Sequence, residues 1–70
     1  MSVYKIIQVI GSSTNSWEEA AKSAVENAGK HLRDLRIAEI EKLDMRIDNN
    51  KVIEYRARVS ISFRYEGSPA

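Results

Sequence analysis

The chain has no cysteine, a single proline and a single histidine among its 70 residues. Without cysteine there can be no disulfide, and one histidine cannot supply a Cys/His set for structural zinc. The core of so short a domain rarely stabilises it by more than about 3–5 kcal/mol, so small folds usually need further support. Oligomerisation is the support that these absences leave.

An excess of charge of one sign is also missing. Eleven Lys and Arg residues stand against ten Asp and Glu residues, whereas nucleic-acid-binding domains usually carry a clear basic excess. No apolar run approaches the length of a membrane span. Residues 1–5 lead straight into a strand pattern instead of a signal peptide. We therefore expect a cytoplasmic protein that binds neither nucleic acid nor a membrane.

The longest regular pattern is an alternation of apolar and polar residues from Lys51 to Glu66. A period of two predicts one long β-strand with an apolar face and a charged face. The apolar face consists of Ile53, Tyr55, Ala57, Val59, Ile61, Phe63 and Tyr65. Such a strand extends to roughly 50 Å, but a compact chain of this length is only about 30 Å across. Either the strand curls strongly or part of it belongs to the core of a neighbouring copy.

Two further elements and a turn are predicted before residue 34. The β-branched residues of Val3–Ile10 predict a strand, and residues 11–15 predict a turn. Apolar residues at helical spacing predict a helix over Trp17–Arg33, about 26 Å long. In a capping box at its start, the Ser16 hydroxyl accepts from the Glu19 N–H and the Glu19 carboxylate accepts from the Ser16 N–H. The cations expected in the last helical turn are Lys30, His31 and Arg33.

A second long strand is predicted over Leu35–Asp48. The apolar residues of one parity are Leu35, Ile37, Leu43, Met45 and Ile47. Asn49 and Asn50 tolerate positive φ and predict a tight type I′ hairpin to the third strand. The predicted fold class is α+β with the order β-α-β-β, a three-stranded antiparallel sheet wrapped around one amphipathic helix. The domain is expected over residues 1–66, with a loose tail over 67–70.

The predicted helix and strands differ in length. A helix of about 26 Å cannot shield an apolar strand face of roughly 50 Å. Burial of apolar area stabilises a fold by about 25 cal/mol per Å², so side chains left bare cost several kcal/mol of stability. This loss is comparable to the whole stability of a small domain. We therefore infer that neighbouring subunits cover the remainder.

Six short segments, taken together and in order, match the pattern of one known family. They are Val3–Lys5, Gly11–Ser13, Ser16–Ala21, Leu32–Arg36, Glu54–Arg56 and Ser62–Arg64. In these segments the chain resembles the dodecins, small β-α-β-β proteins that assemble into hollow dodecamers. The resemblance implies a homododecameric shell with the helices outside and the sheets lining the cavity.

The resemblance also implies a ligand, because dodecins are known for binding flavins. In the family, a tryptophan in the second strand stacks on the flavin ring and a glutamine in the third strand hydrogen-bonds its polar edge. These positions correspond to Ile37 and Arg56 here. Ile37 has no π-face and Arg56 can only donate, so both changes weaken the expected binding of riboflavin or FMN. Dodecin-like proteins without the tryptophan have been linked to calcium, and the chain resembles that branch, notably over Leu43–Asp48.

The candidate ligand-binding residues lie on the two long strands. The expected set is Arg36, Ile37, Lys42, Arg46 and Arg56. Arginine pairs bidentately with phosphate and carboxylate groups, and Arg58 and Arg64 share the polar parity of the third strand. The alternative is ion pairing with acidic residues of the same strands, and the near-cancelling charges favour it. Those acidic residues are Glu39, Glu41, Asp44, Asp48 and Glu54. Arg56 is the exception to this alternative, because the resemblance places it at the ligand-binding glutamine of the family.

Metal binding and catalysis have little support within one chain. Asp44 and Asp48 lie about 13 Å apart along an extended strand, so they cannot share one calcium ion. No nucleophile–base pair or paired-carboxylate signature is present, and no catalytic residue is expected. The sequence therefore predicts a non-catalytic, dodecin-like cage that binds or sequesters a small ligand, with flavin as the ligand of the family. A calcium-binding shell and a purely structural shell are the alternatives.

Overall fold

The computed structural model describes residues 2–65 and has the element order β1 (Tyr4–Ser13), α1 (Trp17–Ala28), β2 (Leu35–Asp48) and β3 (Lys51–Arg64). The predicted β-α-β-β order is confirmed. β3 ends at Arg64, before the predicted end at Glu66; Glu66 itself and the tail over 67–70 lie outside the described residues. The domain boundary at residue 66 therefore stays a prediction. Among the described residues, no helix has the length and apolar character needed to span a membrane.

The three strands form one antiparallel sheet in the order β1-β3-β2. The central strand is β3, which is the long alternating strand of the sequence. Asn49 and Asn50 join β2 to β3 with φ values of 51° and 61°. Two consecutive positive φ values are the mark of the type I′ hairpin turn. The predicted hairpin is thus confirmed.

The first strand is longer than the sequence predicts, because it continues through Gly11 to Ser13 instead of turning after Ile10. Gly11 pairs with Ala57 of β3. A Cβ atom at Gly11 would collide with the backbone oxygen of Ala20 and lie 2.9 Å from the Cβ of Ala24. The missing side chain therefore allows the helix to lie directly on the strand, and the prediction of a turn here was wrong.

The helix ends at Ala28 and not at Arg33 as predicted. Gly29 follows, and the N–H groups of Lys30 and His31 donate to the carbonyls of Asn27 and Ala28. These shorter i→i−3 bonds tighten and close the last turn. The expected cations consequently lie beyond the helix, and twelve residues give a helix only about 18 Å long.

The core between α1 and the sheet is built mainly from alanine. Its buried residues are Ala20, Ala24, Ala28, Ala57, Val59 and Ile61. The helical alanines meet the predicted apolar face of β3, so this face is confirmed where the helix covers it. Small side chains bring α1 close to β3 but bury little apolar area per residue.

Ser13 organises the entrance to the helix. The Ser16 hydroxyl accepts from the Glu19 N–H at 3.0 Å, as predicted. The Glu19 carboxylate does not bond the Ser16 N–H. It accepts from the Ser13 hydroxyl at 3.0 Å and from the Asn15 amide at 3.1 Å. The Ser16 N–H donates to the Ser13 oxygen at 3.4 Å, because β1 delivers Ser13 to the position that a capping-box glutamate would otherwise occupy.

Replacing Ser13 with alanine is expected to lower the free energy of unfolding by about 1–3 kcal/mol, since three polar partners in partly buried contacts would lose their hydrogen bonds. The Asn15 N–H, which donates to the Ser13 oxygen at 2.9 Å, would be one of them. Urea denaturation of Ser13→Ala measures the change. Ser12→Ala, at an exposed neighbour, is the matched control, and equal losses in the two variants would contradict this role.

The chain is elongated, and the helix covers only part of the sheet. The structure extends 55 × 19 × 15 Å with a radius of gyration of 14.6 Å, whereas a compact chain of this length has about 11 Å. The helix packs on β1 and β3 and barely reaches β2. On the helix side of β2, Ile40 and Leu43 are 47% and 49% exposed. The sheet is therefore incompletely covered, as predicted. The bare apolar side chains lie mainly on β2, however, and the prediction that they lie on the apolar face of β3 was wrong for Ile61, which is fully buried.

Two β-bulges divide β2. The register against β3 shifts between Leu35 and Ile37 and again between Ile40 and Lys42. Each bulge adds one residue and reverses the alternation of side chains. Ile37 therefore faces away from the helix, opposite to Leu43, and the prediction that these residues share one face was wrong for Ile37.

Candidate functional site

The sheet has an open face, which is the face opposite to the helix. Register assigns residues to it, because directly opposed residues of an antiparallel pair point to the same side. Its charged and polar residues are Gln8, Ser12, Glu39, Lys42, Asp44, Arg46, Glu54, Arg56, Arg58, Ser60, Ser62 and Arg64. Most of the candidate ligand-binding residues therefore share this surface.

Arg56, which the resemblance predicts to be a ligand-binding residue, is bound to Asp44. The Nε atom of Arg56 donates to Oδ1 of Asp44 at 2.7 Å, and Nη2 donates to Oδ2 at 2.9 Å. This bidentate geometry is the strong form of an arginine–carboxylate pair. The hydrogen bond from Arg56 lowers the pKa of Asp44, with a further lowering by the charges of Arg56 and Arg58. The same bond raises the pKa of Arg56.

A second ion pair lies one step nearer the hairpin. Nε of Arg46 donates to Oε1 of Glu54 at 3.1 Å, and the two residues are opposed in the register. Arg46 and Arg56 are thus neutralised by carboxylates of the same chain. Both arginines therefore pair with a carboxylate of their own chain, and their role in binding a ligand stays a prediction.

Arg36 and Ile37 contribute to a different part of the open face. They line an open groove of about 600 Å³ together with Tyr4 and Ser62. Ile37 is 69% exposed there, and its carbonyl accepts from the Ser62 hydroxyl at 3.4 Å. Arg36 and Arg46 are ten residues apart on one strand, or about 33 Å. The five candidates therefore do not converge on a single site.

Lys42 lies between these two regions, directly opposite Arg58. Sequence reasoning placed Arg58 on the polar parity but left it out of the candidate set. The pairing of Lys42 with Arg58 could not be seen without the true register, because a simple count back from the Asn49–Asn50 turn places Lys42 opposite Ala57. A bulge between Arg46 and Ile47 in the pairing moves the partner to Arg58.

Trp17 fixes the far half of β2 to the start of the helix. Its Nε1 donates to the backbone oxygen of Asp44 at 3.0 Å. Its ring meets Tyr55 edge-on, with centroids 5.2 Å apart and planes at 71°, a favourable aromatic geometry. These contacts make Trp17 an anchor at the edge of the core. They also hold the Asp44 main chain beside Arg56.

No cluster of three or more His, Cys, Asp or Glu side chains placed to hold a metal occurs within residues 2–65. Asp44, an expected oxygen donor, is committed to Arg56. A calcium ion needs six to eight oxygen ligands. The described part of one chain does not assemble such a set.

The Asp44–Arg56 pair predicts a specific acid response. A carboxylate with a lowered pKa stabilises the fold above the unfolded pKa of about 3.9, and this contribution disappears as the pH falls through the lower folded pKa. Below about pH 4, Asp44→Asn is therefore expected to lose less stability than the wild type does. Urea denaturation at pH 7 and pH 3 measures the difference. Glu26→Gln, on the exposed side of the helix, is the control, and parallel pH profiles for wild type and Asp44→Asn would refute the prediction.

The fold and the open face define a small β-α-β-β domain with an incomplete core and an accessible sheet face that carries both charged and apolar side chains. The chain belongs to the dodecin family, since the family model described as Dodecin matches residues 3–66. It is similar to the calcium dodecin of Mycobacterium tuberculosis, at 44% identity over 64 residues that cover 91% of this chain and 90% of the relative.

Solved structures agree with this membership. The crystal structure of calcium dodecin from M. tuberculosis, described as calcium chelating with a novel calcium-binding site, has a TM-score of 0.85 at 40% identity and covers 99% of both chains. A Thermus thermophilus protein has a TM-score of 0.88 at 31% identity, with 97% of this chain and 100% of that chain covered. Dodecin from Streptomyces coelicolor has a TM-score of 0.90 at 27% identity, with 96% of each covered.

Proposed function

We propose that this chain assembles into a hollow homododecamer that binds or sequesters a small ligand without catalysing a reaction. One observation carries the proposal: the helix side of β2 exposes a continuous row of large apolar side chains. Their exposed fractions are 47% for Ile40, 49% for Leu43, 43% for Met45 and 63% for Ile47. A second copy is the occupant that membership of the dodecin family supports, and twelve is the number that the family implies.

Native mass spectrometry tests the assembly and its contents together. Protein purified without added ligand is expected to give a mass of twelve subunits of 8.0 kDa each. Extra mass that dissociates on mild activation would identify a co-purified small molecule. A folded monomer at micromolar concentration would refute the shell. A dodecamer that carries and binds nothing would favour the purely structural alternative.

Flavin is the ligand that the family implies, and the residues present do not fit it in the family manner. Ile37 offers no aromatic surface, and Arg56 is held by both oxygens of Asp44. Flavin binding through these two positions is therefore weakened on two independent grounds. We therefore expect the cavity to hold a small ligand whose binding does not depend on flavin stacking at these two positions.

Restoring the two family residues is expected to restore flavin affinity. Aromatic stacking on one ring contributes about 1–3 kcal/mol in comparable base-stacking sites. The variant carrying Ile37→Trp and Arg56→Gln should therefore bind riboflavin at least about tenfold more tightly than the wild type. Quenching of riboflavin fluorescence measures both affinities. Lys22→Trp, which adds an aromatic ring on the exposed helix, is the control, and tight quenching by the wild type would show that Ile37 and Arg56 do not impair the site.

Calcium is the second candidate ligand, and the relationship to calcium dodecin favours it. Because residues 2–65 of one chain hold no metal cluster, the site would combine oxygens from more than one subunit. Titration of chelator-treated protein with Ca²⁺ is expected to release or absorb heat and to raise the melting temperature. An absence of both effects would remove calcium from the proposal.

The remaining expectations about partners and location are carried forward as predictions. Self-association is the partner interaction that the exposed β2 surface supports. The near-zero net charge of +1 supports the expectation of no nucleic-acid partner. Absence of membrane association and a cytoplasmic location stay predictions from the sequence.

A further inference from the structure

A trough runs along the open face at the end of the sheet nearest to Tyr4. Its floor is the central strand β3, whose side chains on this face are here the small Ser60 and Ser62. Ser62 lies between its two register partners, Ile6 of β1 and Ile37 of β2. Small residues on the central strand between large residues on both outer strands leave a concave surface.

The trough is continuous, and its walls are mostly apolar. The groove of about 600 Å³ that Tyr4, Arg36, Ile37 and Ser62 line adjoins a smaller hollow of about 110 Å³, and the two have Ile37 and Ser62 in common. The exposed fractions of the wall side chains are 52% for Tyr4, 67% for Ile6 and 69% for Ile37. Three large side chains that are more than half bare therefore lie together, and covering them with an apolar ligand is favourable.

The polar groups of the floor already have hydrogen-bond partners. The Gln8 amide donates to the Ser60 hydroxyl at 3.3 Å, and the Ser62 hydroxyl donates to the Ile37 carbonyl at 3.4 Å. A heteroaromatic ligand would gain few hydrogen bonds from this floor, and the isoleucine walls offer it no π-face. An aliphatic chain needs neither.

The width of the trough suits a single hydrocarbon chain. Neighbouring strands lie about 4.8 Å apart, so β1 and β2 are about 10 Å apart across β3. A chain in van der Waals contact with a wall on each side needs about 8 Å between the wall carbons, because each contact is about 4 Å long. An α-helix of a second copy, about 10–12 Å in diameter with its side chains, is too wide to enter.

The charged residues that line the trough lie at its opposite ends. Arg36 lines the end near Tyr4, and Glu39 lines the other end, where it would repel an anion. Neither forms an ion pair within residues 2–65. Arg64, opposite Tyr4, adds a second cation at the first end, and Asp34, whose carbonyl accepts from the Arg64 N–H, offsets one of the two charges. One positive charge remains there for an anionic head group.

We propose that the trough binds the aliphatic chain of a fatty acid, with the chain between Ile6 and Ile37 and the carboxylate at Arg36. Apolar contact supplies most of the affinity, because the chain removes three large side chains from water. Arg36 orients the ligand through a charge-assisted hydrogen bond. The inference rests on the proposed function, since it names the chemical class of the small ligand that the shell holds.

Calorimetric titration of the full chain with sodium decanoate tests the site. Saturable binding is expected, and octanoate should bind about tenfold more weakly or worse, because each buried methylene group contributes about fourfold. Ile6→Ser should weaken decanoate binding by about tenfold, since half of a large apolar contact is lost. Ile10→Ser is the matched control, because Ile10 lies on the same strand and face, is 55% exposed and does not line the trough. It should leave the affinity unchanged.

The role of the carboxylate is measured with a second variant and a neutral ligand. Arg36→Gln should weaken decanoate binding by up to about fivefold, the range for an exposed charge pair. It should leave the affinity for decanol unchanged, because decanol carries no charge. Lys22→Gln removes the same charge from the exposed helix and should change neither affinity.

The inference would be overturned by an absence of saturable decanoate binding, by equal affinities for octanoate and decanoate, or by equal losses in Ile6→Ser and Ile10→Ser. An Ile6→Ser protein that fails to assemble would place a second copy on the trough and would overturn it as well. Sedimentation of the same samples separates this inference from the shell. A dodecamer that ignores decanoate would remove only the fatty-acid site, whereas a monomer that binds decanoate through Ile6 would remove only the shell.

Discussion

Replacing Leu43 with glutamate is expected to convert the assembly into subunits that are largely unfolded at micromolar concentration. Leu43 is half exposed on the helix side of β2, in the row that neighbouring copies are proposed to cover. A buried, unpaired carboxylate at a subunit contact costs several kcal/mol, and the change is repeated in every subunit. Sedimentation velocity and circular dichroism measure the loss of the large species and of folded structure.

The control for this experiment is Lys22→Gln, which shifts the net charge by the same one unit on the exposed side of the helix. It should remain fully assembled. A Leu43→Glu protein that sediments like the wild type would show that the helix side of β2 faces solvent. The exposed apolar row of β2 would then no longer support the proposed shell.

Replacing Gly11 with alanine is expected to destabilise the fold by about 1–3 kcal/mol or more, which is the range for overpacked cores. The new Cβ would meet the backbone oxygen and carbon of Ala20, the latter at 3.0 Å. Backbone atoms of a helix cannot move aside as a flexible side chain can, so α1 would have to lift off β1. Thermal and chemical denaturation measure the loss.

Gly29 supplies a matched control within the same chain. It has φ −64° and ψ −16°, which suit any residue, and an added Cβ would lie 3.4 Å from its nearest neighbours. Gly29→Ala is therefore expected to be neutral or stabilising, since alanine also restricts the unfolded chain. Similar stabilities for the two variants would mean that the helix–strand contact at Gly11 is not tight.

The strands and the hairpin could be predicted because their signals are local. Alternation identified β3, and the Asn49–Asn50 dipeptide specified a turn with two positive φ values. The end of the helix could not be read in the same way, because Lys30, His31 and Arg33 suit a helix terminus on charge alone. What ends the helix is the closure of its last turn on Asn27 and Ala28. The extension of β1 depends on contact between Gly11 and the helix, which is also non-local.

The candidate site was predictable in composition but not in pairing. Alternation placed Arg56 and Asp44 on polar faces, yet their opposition depends on the register shift between Arg46 and Ile47. The charged residues over 42–48 and over 54–58 have even numbers, but a direct count back from the turn opposes even numbers to odd ones. A register shift was therefore needed to bring the charges opposite each other, and this need was a usable signal for the Arg56–Asp44 pair. The orientation of Ile37 could not be predicted. One bulge precedes it and another follows it, so it faces opposite to both Leu35 and Leu43, and no feature of its own segment shows this.

The alanine-rich core affects how the newly made chain folds and assembles. Four of its six buried residues are alanine, so a newly made chain has little apolar area with which to hold itself folded. Subunit folding and subunit encounter then become one equilibrium, governed by mass action. Dilution should unfold the chains as it separates them, and chains present below the concentration needed for assembly would expose their backbone to proteases.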